Sequence, residues 1–179
     1  MLRSLSVRNL VLIDSLDLEF GTGLCVLTGE TGAGKSILLD ALGLAIGNRA
    51  DAQLVRSGAE SASVSASFEL AIEHPARILL ADQNYEPADE LILRRTLSID
   101  GRSRAFVNGQ PAPLAWLREL GDTLVKIEGQ AASGGLLDAK SHRALLDAFA
   151  GNGTALARTL TAHKNWRSVL AALEKSEKE

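Results

Sequence analysis

The sequence lacks the residues and segments that mark a secreted, disulfide-bonded or membrane-spanning protein. Cys25 is its single cysteine, which excludes an internal disulfide and favours a reducing compartment. No apolar run approaches the roughly 20 residues that a helix needs to cross a bilayer. Arg3, Arg8 and Asp14 interrupt the first apolar runs, so they do not form a signal peptide. These absences predict a cytoplasmic protein that does not act at a membrane.

An excess of positive charge is also lacking. The formal net charge is −3, so the whole chain offers no electrostatic argument for nucleic-acid binding, although a local basic patch stays open. The 179 residues are 46% hydrophobic and 23% charged. That composition is typical of a globular protein with one core of ordinary size.

One stretch fits the P-loop pattern, in which Gly and four variable residues precede Gly-Lys-Ser/Thr. Glycines without a Cβ let the backbone curl and turn its N–H groups onto phosphate oxygens. The following helix N-terminus also attracts an anion. The lysine supplies a cation for the β- and γ-phosphates, and the serine hydroxyl can bind Mg²⁺. The candidate nucleotide-binding residues are Gly29, Glu30, Thr31, Gly32, Ala33, Gly34, Lys35 and Ser36.

The flanking segments favour a true P-loop over a glycine-rich turn that happens to precede a helix. Leu24–Leu27 predicts a buried strand, with Cys25 in the core rather than reactive. Ile37–Ile46 is apolar nearly all round and predicts a buried helix that ends at Gly47-Asn48.

A complete P-loop ATPase also needs an acidic residue after a second apolar strand, to hold Mg²⁺ and place water. Asp100 follows a run that Ser98 interrupts, and Glu128 follows a run that Lys126 interrupts. Neither fits well, so the sequence predicts half of an ATP site.

Most of the remaining pattern indicates antiparallel strands. Residues 2–7, 16–20 and 61–70 predict strands, and residues 91–97 and 102–107 predict a hairpin around Asp100-Gly101. Arg8–Leu10 is interpreted as a connection beside a bound base or as a surface connection. Short helices are predicted over residues 75–81 and 114–120, and Leu124–Ile127 predicts a strand of the main sheet.

The end of the chain has a different pattern. Residues 140–150 predict a helix, and residues 154–178 contain no Gly or Pro. Apolar residues and one histidine recur there at steps of three and four, which favours the base of a coiled coil over a terminal helix packed on the domain. They are Leu156, Leu160, His163, Trp166, Leu170 and Leu173. We therefore expect a lobe over residues 1–150 and the beginning of a coiled-coil arm over residues 151–179.

The split ATP site resembles ATP-binding-cassette ATPases of the SMC type. In those proteins a coiled coil separates an N-terminal lobe, which carries the P-loop, from a C-terminal lobe with the signature and acidic motifs. More specifically, the chain resembles the N-terminal lobe of the RecN family, bacterial SMC-like ATPases of DNA double-strand-break repair. The motifs that carry this resemblance are Leu5–Ile13, Glu30–Ala33, Leu93–Arg95, Asp100–Arg104 and Leu117–Gly121.

The resemblance implies an α/β fold of the ABC/SMC head type, with an antiparallel β subdomain and a main-sheet P-loop strand. It implies that Gln130 is a Mg²⁺ ligand that senses the γ-phosphate, where the pattern alone indicates an ordinary loop residue. The family usually has His-Gly-Gln-His at this point, whereas this chain has Glu128–Ala131. Any role of those histidines is therefore in doubt.

Further residues gain roles only through the resemblance. It implies that Arg8 and Asn9 contact nucleotide and that Arg49 reaches the phosphate region, the alternative for Arg49 being a surface salt bridge. Arg102 and Arg104 are candidates for contacts to DNA phosphates, although the pattern favours a solvated hairpin.

The function that we expect is ATP binding with Mg²⁺, dimerisation of two heads around two nucleotides, and coupling of that closure to DNA ends. The partners implied are a C-terminal lobe of the same protein, a second head and DNA. The location implied is the cytoplasm of a bacterium, in association with the nucleoid. This chain alone is expected to hydrolyse ATP negligibly. The alternatives are a complete small P-loop kinase and a DNA-binding module with a vestigial P-loop.

Overall fold

The structure is a computed structural model that describes residues 1–29, 34–86, 88–127 and 139–176. It forms two compact units, Met1–Ile127 and Glu128–Glu179. Among the described residues the first unit contains a sheet, three α-helices and a short 3₁₀ helix (Ala52–Leu54), and the second unit contains two α-helices.

The first unit is built on one six-stranded sheet in which every neighbouring pair is antiparallel. The strand order is β2-β1-β3-β4-β5-β6. The strands are β1 (Leu2–Leu10), β2 (Ile13–Glu19), β3 (Ser61–Glu69), β4 (Glu90–Ser98), β5 (Ser103–Val107) and β6 (Gln110–Ala112). The structure thus confirms the predicted strands and hairpin, except that β1 continues through Arg8–Leu10, which were interpreted as a connection.

The two faces of the sheet follow the period of two in the sequence. In β3, Ala62, Val64, Ala66 and Phe68 are buried, and the serines between them lie on the other face. The strand register aligns the core-facing residues of neighbouring strands in rows across the sheet. One such row contains Val7, Val64, Arg95, Ala105 and Ala112. This apolar face forms the core with the helices.

Three helices pack in this unit: α1 (Lys35–Ala45), α2 (Ala76–Asp82) and α3 (Leu114–Leu124). Gly121 was predicted to end α3 but lies inside it and is buried. A Cβ at Gly121 would lie 2.3 Å from the carbonyl oxygen of Ile46, and one at Gly47 would lie 2.8 Å from the backbone of Arg118. The end of α1 and the middle of α3 therefore touch backbone to backbone.

Two predicted strands are not formed. Leu24–Leu27 is irregular and exposed, including Cys25, so the prediction of a buried strand with a core cysteine is wrong for this structure. Leu124 ends α3, and residues 125–127 are irregular. Both segments are apolar enough for a central strand, but within the described ranges neither has a strand beside it.

The second unit consists of α4 (Ala139–Phe149) and α5 (Gly153–Ser176), which confirms both predicted helices. The apolar seam of α5 is largely exposed, with Leu160 at 54% and Trp166 at 57%. The division of the chain at residue 150 stays a prediction, and the compact units divide after Ile127.

Candidate nucleotide-binding site

The N-terminus of α1 lies at the last three residues of the P-loop pattern. Gly34 precedes the helix in the left-handed conformation, with φ of 91°, which a glycine adopts without steric cost. Its carbonyl oxygen accepts the first helical hydrogen bond, from the N–H of Leu38 at 3.1 Å. The backbone turn therefore places the first free N–H groups of α1 at the end of the loop.

The side chains at this turn have the chemistry of a phosphate site. Lys35 donates a hydrogen bond from Nζ to the carbonyl oxygen of Gly29, so its ammonium group turns back across the loop. Ser36 is exposed in the first turn. No acidic residue lies in that turn, so no carboxylate competes with an anion for the positive end of the helix dipole.

The other residues of the pattern, Glu30, Thr31, Gly32 and Ala33, lie outside the described residues, and so does Gln130. The described part still fits a nucleoside triphosphate with Mg²⁺. The N–H groups at the helix N-terminus and the ammonium group of Lys35 can donate hydrogen bonds to phosphate oxygens. The hydroxyl group of Ser36 can bind a metal ion that shares those oxygens, and the left-handed turn at Gly34 precedes both side chains.

Arg8 lies at the end of β1 and is paired with Asp17 of β2. Its guanidinium donates hydrogen bonds to both carboxylate oxygens, at 2.9 and 2.8 Å. The hydrogen bond from Arg8 lowers the pKa of Asp17, and the same bond raises the pKa of Arg8. The pair is exposed, so it fixes the position of the guanidinium more than it stabilises the fold.

The turn after Arg8 has an unusual backbone. Asn9 and Val11 have φ of 52° and 48°, and a positive φ is a true outlier for a β-branched residue such as Val11. The residues after α1 hold this turn, because Val11 N–H donates to Leu54 and Arg56 N–H donates to Asn9, at 2.8 and 2.9 Å. Sequence reasoning missed this strain, since nothing in the pattern around Val11 indicates it.

Arg49 follows the C-terminal end of α1 and is exposed. It lies beyond a left-handed turn at Gly47, where φ is 101°. The predicted role of Arg49 at the phosphates stays a prediction.

Arg102 and Arg104 lie in the β4–β5 hairpin. Arg102 is 81% exposed in its side chain and forms an ion pair with Asp100 at 3.1 Å. Arg104 pairs across the sheet with Thr96 on the exposed face. Both arginines are accessible to solvent, as contacts to a DNA backbone require, and that role is also untested.

The residue that sequence reasoning missed is Arg95, which is 2% exposed. It stands in phase with Leu91, Leu93 and Leu97, all buried on the core face. The period of two in β4 could have shown that this arginine, unlike Arg94, replaces an apolar residue in the core.

Two other features are absent from the described ranges. Those ranges contain no group of three or more His, Cys, Asp or Glu side chains placed to hold a metal ion. None of the helices within them combines the length and apolar character that crossing a membrane requires.

Comparisons with known proteins agree with this geometry. Residues 4–110 match the family described as an AAA domain. The DNA repair protein RecN of Xylella fastidiosa is 44% identical over 170 residues, which are 95% of this chain and 30% of that protein. RecN of Vibrio cholerae is 44% identical over 93% of this chain and 30% of that protein. The chain thus spans about 30% of the length of these curated relatives.

A solved structure supports the fold at lower identity. It is described as "Structural biochemistry of ATP-driven dimerization and DNA stimulated activation of SMC ATPases" and aligns with a TM-score of 0.61. The alignment is 19% identical and covers 82% of this chain and 97% of that one. The chain therefore belongs to the AAA-domain family, shares the fold of SMC-type ATPases, and resembles the DNA repair protein RecN over nearly all of its length.

Proposed function

We propose that this chain is the ATP-binding part of an SMC-like ATPase that acts in DNA double-strand-break repair. The observation that carries the proposal is the N-terminus of α1. The helix begins after Gly34 in the left-handed conformation, and its first turn contains no acidic residue. In that turn Lys35 donates a hydrogen bond back to Gly29, and Ser36 is exposed. The relatives named as DNA repair proteins and the SMC ATPase fold support the assignment to this class.

In this proposal the loop from Gly29 to Ser36 holds the triphosphate through backbone N–H groups, and Lys35 places its charge beside the β- and γ-phosphates. Ser36 and Gln130 bind Mg²⁺, which neutralises phosphate charge when it is present. Arg8, Asn9 and Arg49 remain candidates for contacts to the nucleotide.

The exposed apolar segments support a function that needs other polypeptide segments. Leu24 is 94% exposed and Val26 is 67% exposed, although both belong to a run suited to a buried strand. We infer that a C-terminal lobe of the same protein covers this segment, that a second head completes the ATP site, and that α5 begins a coiled coil. Closure of two heads would then be coupled to DNA ends in the nucleoid.

Nucleotide binding tests the proposal. Fluorescence anisotropy with a fluorescent ATP analogue and Mg²⁺ should give saturable binding by the purified chain. Lys35→Ala should weaken binding at least about tenfold, because a charge-assisted contact to phosphate is lost. Lys164→Ala, which removes an exposed lysine of α5, is the matched control. Equal binding by the Lys35 and Lys164 variants would exclude the proposed site.

Hydrolysis tests the incompleteness of the site. The purified chain should release phosphate from ATP no faster than buffer does. Appreciable turnover that Lys35→Ala abolishes would show that the site is complete without another segment.

DNA binding is tested separately. The double variant Arg102→Ala/Arg104→Ala should bind duplex DNA more weakly and with a smaller salt dependence, since each phosphate contact releases counterions. Arg158→Ala/Arg167→Ala, which removes two exposed arginines of α5, is the matched control. Unchanged affinity in the hairpin variant would remove Arg102 and Arg104 from the DNA interface.

A further inference from the structure

One cationic side chain lies within the apolar face of the sheet. Arg95 of β4 is paired across the sheet with Val64 on one side and Ala105 on the other. Its neighbours along the same face, Leu93 and Leu97, are 0% and 1% exposed. An arginine at such a position loses its hydration, which is costly unless other groups compensate the charge.

The described part of the protein compensates Arg95 only partly. Nε donates a hydrogen bond to Oγ of Ser103, and that hydroxyl donates to the carbonyl oxygen of Thr96 at 3.1 Å. Nη1 is buried, and no acceptor in the described residues lies within hydrogen-bond distance of it. Burial lowers the pKa of Arg95, and none of the ion pairs among the described residues includes it. The guanidinium is therefore held in place with no counter-charge among the described residues.

A cavity of about 440 Å³ adjoins this guanidinium. It lies where β5 and β6 meet the first residue of α3, and Arg95, Ser103, Arg104, Ala105, Ala112 and Leu114 are among the residues that line it. The volume is within the range of small-ligand sites. A cation at the wall of an otherwise largely apolar cavity favours an occupant that combines one negative charge with apolar atoms.

We propose that this cavity is a docking site for an acidic polypeptide segment, whose Asp or Glu carboxylate pairs with the guanidinium of Arg95. A carboxylate matches the planar guanidinium with two parallel hydrogen bonds, and it supplies the acceptor that Nη1 lacks once the cavity wall shifts to expose that buried atom. The site is separate from the P-loop and does not depend on nucleotide.

The geometry favours a protein side chain over a nucleic-acid phosphate. Arg95 is 2% exposed, and a carboxylate at the end of one or two methylene groups of a side chain can enter where a phosphate flanked by two sugars cannot. The methylene groups of that side chain can also contact Ala105, Ala112 and Leu114, which replaces water at apolar surface.

Butyrate is the probe for this site, because its carboxylate and the two methylene groups beside it match the side chain of glutamate, with the terminal methyl group in the place of Cα. The methyl groups of Ala105 and Ala112, labelled with ¹³C in the 179-residue chain, report on the cavity by NMR. Titration with sodium butyrate at constant ionic strength should shift both resonances saturably at millimolar concentration. Chloride alone should produce no saturable shift.

Matched variants locate the interaction. Arg95→Met keeps most of the side-chain volume without the charge and should abolish the saturable shift. Arg94→Met makes the same substitution on the exposed face of the same strand and should leave it unchanged. Lys35→Ala should also leave it unchanged, so that this proposal and the nucleotide site fail or succeed separately.

Several results would overturn the proposal. They are an equal butyrate response in Arg95→Met, a response no larger than that of chloride, or tighter saturation by inorganic phosphate, which would indicate a phosphate ligand instead. If Arg95→Met does not fold, Ser103→Ala replaces it, because loss of the acceptor for Nε should weaken butyrate binding several-fold. Undiminished binding in Ser103→Ala would then contradict the proposed geometry.

Discussion

Strand β3 and the segment Leu24–Leu27 differ in a way that their sequences do not suggest. β3 is nearly half serine and lies in the middle of the sheet, with Val64 and Ala66 at 0% exposure. Leu24–Leu27 consists of four apolar residues and is exposed and irregular. Apolar character alone therefore does not determine which segment of this chain is buried.

The difference lies in the neighbours that each segment has. β3 pairs with β1 on one side and β4 on the other. The alternate serines lie on the face opposite to the core, where Ser67 is buried and the other three are at least partly exposed. A strand of continuous apolar residues instead needs cover on both faces and partners at both edges. The described residues offer Leu24–Leu27 no strand partner, so its apolar surface, worth about 2 kcal/mol for each large side chain, is left for another segment to bury.

Substitution in the two segments should give the largest difference in stability. Phe68→Ala should lower the free energy of unfolding by about 3–5 kcal/mol, because it opens a cavity in the core. Leu24→Ala should change it by less than about 0.5 kcal/mol, as is usual at exposed positions. Urea unfolding followed by circular dichroism measures both. A loss above about 1 kcal/mol for Leu24→Ala would show that the segment is packed in solution and would remove the contrast.

The antiparallel sheet could be predicted from the sequence because its signals are local. Alternation in residues 61–70 specifies a strand and its two faces, and the Asp100-Gly101 turn specifies the β4–β5 hairpin. The errors at Leu24–Leu27 and Leu124–Ile127 have a different cause. Those runs are suited to a central sheet, whose formation depends on partners that local pattern cannot supply.

The candidate site divides in the same way. The pattern Gly-Lys-Ser predicted a helix N-terminus at residues 34–36, and the structure confirms it because the left-handed turn at Gly34 and the helix are local features. The partners and surroundings of Arg8 and Arg95 could not be predicted so directly. The pairing of Arg8 with Asp17 and the cavity beside Arg95 depend on register and on which strands adjoin.

A second test of the contrast compares the C-terminal end of α1, which packs tightly on α3, with the exposed loop before the P-loop. Gly121→Ala should destabilise the fold by about 1–3 kcal/mol, because the new methyl group would collide with the backbone of Ile46. Gly21→Ala, in the exposed loop where nothing lies within 4 Å of the added Cβ, should stay within about 0.5 kcal/mol of the unchanged protein. Equal stability of the two variants in thermal unfolding would mean that α3 shifts freely away from α1.

Arg95 is the exception within the buried region, and its removal should have the opposite sign. Arg95→Met should raise the free energy of unfolding by about 1–2 kcal/mol in the absence of a ligand, because an apolar side chain replaces a buried cation that has no counter-charge in the described part of the chain. Arg94→Met on the exposed face should change it by less than about 0.5 kcal/mol. Urea unfolding of both variants measures the difference. Destabilisation of Arg95→Met by more than about 1 kcal/mol would mean that Arg95 stabilises the sheet through its bond to Ser103.

The smallest effect is expected at the edge of the buried region, where His74 precedes α2. Its Nδ1 accepts a hydrogen bond from Ala76 N–H at 3.2 Å. Burial, then the nearby N-terminal ammonium and Arg77, lower the pKa of His74 below 6.5. The unfolded chain therefore binds more protons than the folded chain as the pH falls below about 6.5, and stability contributed by neutral His74 is lost.

Denaturation midpoints between pH 8 and 5 measure this effect. His74→Asn should flatten the decline on the acid side while its side-chain oxygen keeps an acceptor for Ala76 N–H. His74→Ala should also flatten it but should be less stable at pH 8 by about 0.5–1 kcal/mol, because the acceptor at the start of the helix is lost. An unchanged decline in both variants would assign the pH dependence to other groups. It would also mean that burial at the edge of the core does not lower the pKa of His74.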